Sequence, residues 1–330
     1  MSLVRVSVIG AGSWGTAVAA LVAARTPTVL WARRPELADA INRDSENPDY
    51  LPGTRLPYGL RATADLEEAA ASEIVVMAVP SHGFRTVISK LALRPDRLIL
   101  SLTKGIEQDT LLRMTQIVAD VLPDHDPAMV GVLTGPNLAK EVVAGFPAAA
   151  VVAMPDADQA GIIQDLLMGP TFRVYTNGDL IGCETAGALK NVMAIAAGMS
   201  AGLGFGDNTR ATLITRALAE LTRLGVAMGG RESTFAGLAG MGDLIATCVS
   251  AQSRNHMVGR ALAQGRQLDD ITADMNMVAE GVKTTEAVLA LAERHQVEVP
   301  IATQVGRVLY AGAHPREAVL ELMTRSAKSE

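Results

Sequence analysis

The sequence predicts an α/β fold: a parallel sheet covered by helices in the first half of the chain, followed by an all-helical C-terminal domain. Three observations carry this. Short apolar runs alternate with amphipathic or alanine-rich segments over the first half. Those runs are continuous rather than alternating, which implies burial on both faces of a sheet. Beyond the turn signal Asn177-Gly178 the strand signature stops. The 330 residues suit two domains, 1–178 and 179–330.

The elements follow in order. Val4–Ile9 reads as a buried strand, then a glycine-rich turn, then a helix over Trp14–Ala24. Thr28–Trp31 is a second strand, and Pro35 opens a helix to Asn42 as its first residue. A loop containing Asn47-Pro48 and Leu51-Pro52-Gly53 comes next. Ile74–Val79, Leu98–Leu102, Met129–Leu133, Ala149–Ala153 and Phe172–Tyr175 are further strands, for a sheet of about eight. Asp179 is a good N-cap for the helical half. Its helices are expected over 180–200, 208–226, 254–264, 284–294, 302–311 and 315–325, with a polar, fraying tail after Thr324.

Composition excludes several classes. At 49% hydrophobic and 19% charged residues, the chain is neither disordered nor fibrous. A net charge of -6 argues against a nucleic-acid partner. Only two cysteines, Cys183 and Cys248, exclude a disulfide framework and favour a reducing compartment. The uncharged stretch Asn191–Gly206 is interrupted by glycine and falls short of the roughly 20 apolar residues of a membrane span. No signal-peptide anatomy precedes the first strand. The expectation is a cytoplasmic protein with no stable membrane insertion.

Gly10-Ala11-Gly12-Ser13-Trp14-Gly15 fits G-x-G-x-x-G, and it sits between a strand and a helix as a dinucleotide site requires. Gly10 permits the turn, Gly12 admits a pyrophosphate, and Gly15 lets helix and strand pack closely. The helix N-terminus favours the anion. Residues 1–178 are therefore expected to be a dinucleotide-binding domain. The second strand ends in Ala32-Arg33-Arg34, with no acid to claim bare ribose hydroxyls or repel a 2′-phosphate. NADP is the expected preference over NAD; the plain alternative is two solvated arginines.

Lysine is scarce in this chain, and unlike arginine it can be tuned to release a proton. Lys104 stands at the carboxyl end of a strand, the edge where α/β sheets bind ligands, or it is an ordinary loop lysine. Lys190 and Asn191 lie on a helix whose neighbouring positions, Ala186, Gly187, Ala194, Ala197 and Gly198, are small. Such a face admits either another helix, with the lysine snorkelling to water, or a ligand that needs a proton donor. Asp243 sits between glycines and an apolar run; Ser253 is an N-cap, and Arg254 and Asn255 in the following turn could hold a phosphate.

With these residues the chain resembles the bacterial-type NAD(P)-dependent glycerol-3-phosphate dehydrogenases over nearly its whole length. The resemblance rests on VIGAGSWG (Val8–Gly15), VPSH (Val79–His82), TKG (Thr103–Gly105) and TGPNLAKEV (Thr134–Val142). It continues through GALKNV (Gly187–Val192), GLGFGDNTR (Gly202–Arg210), GMGDLIATC (Gly240–Cys248) and SRN (Ser253–Asn255). It implies a Rossmann-type N-domain, a helical substrate and catalytic C-domain with the active site between them, and a homodimer. It implies reduction of dihydroxyacetone phosphate to sn-glycerol 3-phosphate, which feeds phospholipid synthesis. Carried over, Lys190 is the catalytic general acid, Asp243 its acidic neighbour, and Lys104 a source of charge stabilisation. Lys104, Gly135, Asn137, Lys190, Asn191, Asp243, Thr247, Ser253, Arg254 and Asn255 match substrate positions. Beside Gly10, Gly12 and Gly15, the cofactor positions are Ser13, Trp14, Arg33, Arg34, Lys104, Ala139, Arg254, Val278 and Glu280. No metal is implied, and the five histidines show no ligand spacing. Two residues depart from the bacterial pattern: Asn137 replaces Ser or Thr, and Ala186 stands where Gly is commoner. The rival readings are a β-hydroxyacid or 6-phosphogluconate-type dehydrogenase, whose lysine and asparagine lie four apart rather than adjacent, and a non-catalytic nucleotide-binding paralogue.

Overall fold

The computed structural model describes residues 4–275, 279–324 and 326. The chain forms two compact units. The first comprises the chain up to Lys104 together with Arg113–Cys183; the second comprises Gly105–Leu112 and the chain from Glu184 onward. The polar tail after Thr324 falls outside the described residues except Ser326.

Among its described residues the first unit has ten strands: β1 (Val6–Ile9), β2 (Thr28–Trp31), β3 (Glu46–Asn47), β4 (Leu51–Arg55), β5 (Leu60–Thr63), β6 (Ile74–Met77), β7 (Leu98–Ser101), β8 (Val130–Thr134), β9 (Ala148–Ala153) and β10 (Phe172–Asn177). Eight of them form one sheet in the order β10-β9-β8-β7-β6-β1-β2-β5. Every residue of β1, β6, β7 and β8 is buried, as continuous apolar strands under two helical layers must be. The chain moves outward from β1 through β2 to β5, then returns to β6 on the other side of β1. That reversal is the switch point at which such sheets bind ligands beyond their carboxyl ends.

Two features correct the sequence reading. The sheet is mostly rather than wholly parallel, because β9 runs antiparallel to β8 and β10 follows β9. The expected loop after residue 42 contains β5 and the small β3–β4 hairpin. The outer strand β5 reads Leu-Arg-Ala-Thr, and an edge strand needs too few apolar residues to announce itself.

Apart from segment 105–112, the second unit is built of helices and their connecting loops among its described residues. Its first helix, Leu180–Gly202, begins in the first unit at the Asp179 cap, where Asp179 Oδ1 accepts from Gly182 N at 2.9 Å. This helix is long and apolar enough for a membrane span, yet 83% of its most apolar window is buried inside the protein. The expected helices are present as Asp207–Ala227, Arg254–Ala263, Glu280–Arg294, Pro300–Tyr310 and Pro315–Met323. Unforeseen are a π-helical turn at Leu238–Gly242 leading into the helix Asp243–Val249, and short helices at Glu232–Phe235 and Leu268–Ala273. Segment 105–112 joins this unit through Ile106, which is buried with Ala188, Ala287 and Leu291, and through Gln108 Nε2, which donates to Glu286 Oε2 at 2.6 Å.

Candidate active site

In the first unit the sequence-predicted residues gather at the carboxyl ends of parallel strands. Gly10 follows β1 with a left-handed φ of +123°, and a Cβ there would lie 2.6 Å from Ala78 O. Gly15 begins the next turn so close that a Cβ would lie 2.0 Å from Gly10 O. At Gly12 a Cβ would meet nothing within 4 Å: the space over the turn is open. Gly12 is also the N-cap of the helix Ser13–Ala23 and has no side chain to cap it. A tight turn, open space above it and a helix start without a side-chain cap fit a pyrophosphate. Ser13 Oγ donates to Tyr50 O at 2.9 Å, and the Trp14 ring lies tilted against Phe172, centroids 6.4 Å apart.

Asn47 is not among the sequence-predicted site residues. It is fully buried; its Nδ2 donates to Ala11 O at 2.9 Å and to Thr16 Oγ1 at 2.8 Å, and its Oδ1 accepts from Tyr50 N at 3.2 Å. It pins the loop before β4 onto the glycine turn. A buried side-chain amide engaged at both ends was visible only as an Asn-Pro turn signal.

Beyond β2, Arg33 and Arg34 are exposed. Arg34 is ion-paired with Asp49. The hydrogen bond and charge of Asp49 raise the Arg34 pKa above its ordinary value. The sequence reading had no acid at this end of the sheet; the structure brings one from a turn fifteen residues further along the chain. Beyond β7, Lys104 Nζ donates to Gly135 O at 3.0 Å. Gly135 follows β8 at φ +122°. Asn137 Nδ2 donates to Ala149 O at 2.9 Å, while its buried Oδ1 has no partner among the described residues. That leaves an acceptor for a ligand hydroxyl beside Lys104 and Gly135. Ala139 begins the short helix Ala139–Val143.

In the second unit, Lys190 lies mid-helix and is 5% exposed. Its Nζ is 3.0 Å from Asp243 Oδ1 and donates to Thr247 Oγ1 at 2.6 Å. Thr247 Oγ1 in turn donates to Asp243 O at 2.7 Å, so its lone pairs face the lysine. Asp243 and Thr247 lie one turn apart on the helix Asp243–Val249, hence on one face. The helix-packing reading of the small-residue face holds for one part of it. Gly198 and Gly202 do receive another helix: Cβ atoms there would meet His256 O at 2.1 Å and Arg260 O at 2.7 Å. Lys190 nevertheless ends on buried partners rather than in water.

Beside it, Asn191 Oδ1 accepts from Asn255 Nδ2 at 3.0 Å, and Asn255 Oδ1 accepts from Gly281 N at 2.9 Å. Gly281 is required there, since a Cβ would lie 2.5 Å from Asn191 O. Ser253 Oγ caps the helix Arg254–Ala263 by accepting from His256 N at 3.3 Å. Surrounding protein lowers the Arg254 pKa from its ordinary value, and the Glu280 carboxylate opposes this. The residue still reaches solvent, and a guanidinium in contact with water keeps its charge. Burial pushes the Cys248 thiol up to about 12, away from the thiolate form. Val278 lies outside the described residues.

Comparison with known proteins gives consistent matches to both halves. Residues 5–160 match the family model of the NAD-dependent glycerol-3-phosphate dehydrogenase N-terminus, and residues 179–320 match that of the C-terminus. The chain is 56% identical over 304 residues to glycerol-3-phosphate dehydrogenase [NAD(P)+] 2 of Sphingopyxis alaskensis, covering 91% of this chain and 90% of that one. It is 50% identical to glycerol-3-phosphate dehydrogenase [NAD(P)+] of Thermobifida fusca, over 99% of both chains. Among solved structures, glycerol-3-phosphate dehydrogenase from Coxiella burnetii superposes with a TM-score of 0.93 at 37% identity, over 98% of this chain and 99% of that one.

Proposed function

The chain belongs to the NAD-dependent glycerol-3-phosphate dehydrogenase family, and from that premise we propose that it reduces dihydroxyacetone phosphate to sn-glycerol 3-phosphate with NADPH or NADH, Lys190 serving as the proton donor. The observation that carries the reading is the buried Lys190–Asp243–Thr247 cluster. A reduced nicotinamide cofactor whose pyrophosphate rests on the glycine turn would supply the hydride. Everything else falls to side chains. As charge builds on the ketone oxygen, Lys190 Nζ gives it a proton. The adjacent Asp243 carboxylate favours the ammonium, and Thr247 fixes its direction. Lys104 adds positive charge beside the Asn137 carbonyl, which accepts from a substrate hydroxyl. Arg254, at a helix start capped by Ser253, holds the phosphate, while Asn255 ties Asn191 to Gly281 and keeps that corner rigid.

The product would feed glycerophospholipid synthesis, and the enzyme would act in the cytoplasm as a homodimer. Two features support these last points. Both cysteines are buried and outside any disulfide, and Met241, Ile245 and Val249 present an exposed apolar row at four-residue spacing, suited to a second copy. The β-hydroxyacid alternative calls for an asparagine four residues from the lysine, and positions 186 and 194 are both alanine. Lys190→Ala should lower kcat for ketone reduction by roughly 10²–10⁴ while NADP+ binding persists. Lys190→Arg should not rescue it, because guanidinium keeps its proton. Near-normal turnover in Lys190→Ala, or none in the native chain with either cofactor, would overturn the assignment.

A further inference from the structure

Asp49 is held in place from both sides. On one side stands Asn47, bonded to Ala11 and Thr16 at the glycine turn. On the other, Tyr50 O accepts from Ser13 Oγ at 2.9 Å. The turn carrying Asp49 is therefore a fixed part of the nucleotide end of the sheet, and its carboxylate rests on the Arg34 guanidinium. Both side chains stay open to solvent, 54% and 42% exposed, so a ligand can reach either.

We propose that Asp49 sets the cofactor preference: its carboxylate competes with the 2′-phosphate of NADP(H) for Arg34 and offers an acceptor to the 2′-hydroxyl of NAD(H). The inference rests on the dehydrogenase reading above. A 2′-phosphate carries more than one negative charge and seeks a guanidinium fork. To take Arg34 it must displace Asp49 or sit beside it, and like charges at one cation oppose each other. With NAD(H) there is no phosphate, and a carboxylate at this place does what the acid at the end of the second strand does in NAD-selective sheets. Here the acid comes from a turn, and an arginine stands beside it. One pair serves both cofactors, and because it is exposed, each preference stays modest.

The test is equilibrium titration of the full chain with NADP+ and NAD+, and with adenosine 2′,5′-bisphosphate and 5′-AMP as probes of the adenosine end alone. Asp49→Asn keeps the shape and removes the charge. It should tighten NADP+ and the bisphosphate about three- to fivefold and weaken NAD+ and 5′-AMP, shifting the preference about fivefold or more. The shift should shrink as salt rises. Asp49→Ser, at the same exposed turn, should shift the preference in the same direction. An unchanged NADP+ to NAD+ ratio, with both still bound, overturns this inference and leaves the dehydrogenase reading standing. Absence of binding to either dinucleotide by the native chain overturns both.

Discussion

Thr247→Val isolates the part of the cluster that would aim Lys190 in the proton transfer we propose. The substitution keeps nearly the same shape and removes one hydroxyl. That hydroxyl accepts from Lys190 Nζ at 2.6 Å and donates to Asp243 O at 2.7 Å. Asp243 Oδ1 remains 3.0 Å from Nζ, so the ammonium keeps its counter-charge but loses the contact that fixes its direction. A hydrogen bond to a charged group contributes about 1.5–3 kcal/mol, and about 1.4 kcal/mol is tenfold in rate. A fall in kcat of roughly 10- to 150-fold follows. The KM for dihydroxyacetone phosphate should change little, because Thr247 acts through Lys190 rather than through the phosphate. Thr247→Ser restores the hydroxyl and should recover most of the loss. The assay is steady-state reduction at saturating cofactor, with NADP+ binding measured separately to exclude a folding defect. A Thr247→Val kcat within about twofold of the native value, or an equal loss in Thr247→Ser, would refute the positioning role.

Two further outcomes are expected. Arg254→Ala should raise the KM for dihydroxyacetone phosphate by roughly 10- to 100-fold, the range for a lost charge-assisted bond, and affect unphosphorylated dihydroxyacetone far less; equal effects on both ketones would remove Arg254 from the phosphate site. Glu220, 1% exposed, accepts from Ile301 N at 2.8 Å and Ala302 N at 2.9 Å at the start of the helix Pro300–Tyr310. Glu220→Gln puts an N–H donor where an acceptor is needed and should cost about 1–3 kcal/mol of stability, read from urea unfolding, with kcat of the folded enzyme unchanged; a loss below about 0.5 kcal/mol would mean the cap is dispensable.

Local pattern alone determined the glycine turn, the arginines after the second strand, and the lysines at 104 and 190. Each depends on residues a few positions apart: a strand feeding a helix, a strand's last residues, one turn of helix. The buried strands were legible for the same reason, since burial on both faces demands an unbroken apolar run. Tertiary structure decided the rest. Lys190 meets Thr247 across fifty-seven positions, and Asn191 meets Asn255 across sixty-four. Asp49 reaches Arg34, and Asn47 reaches Thr16, only because the loop between them folds back over the sheet end. The edge strand β5 and the antiparallel turn into β9 are fixed by pairing with neighbours rather than by their own composition. The chain's periodicity selects which surfaces must be buried. Which polar groups end up facing one another depends on how those surfaces are stacked, and a charge or an amide carries no periodicity that would reveal its distant partner.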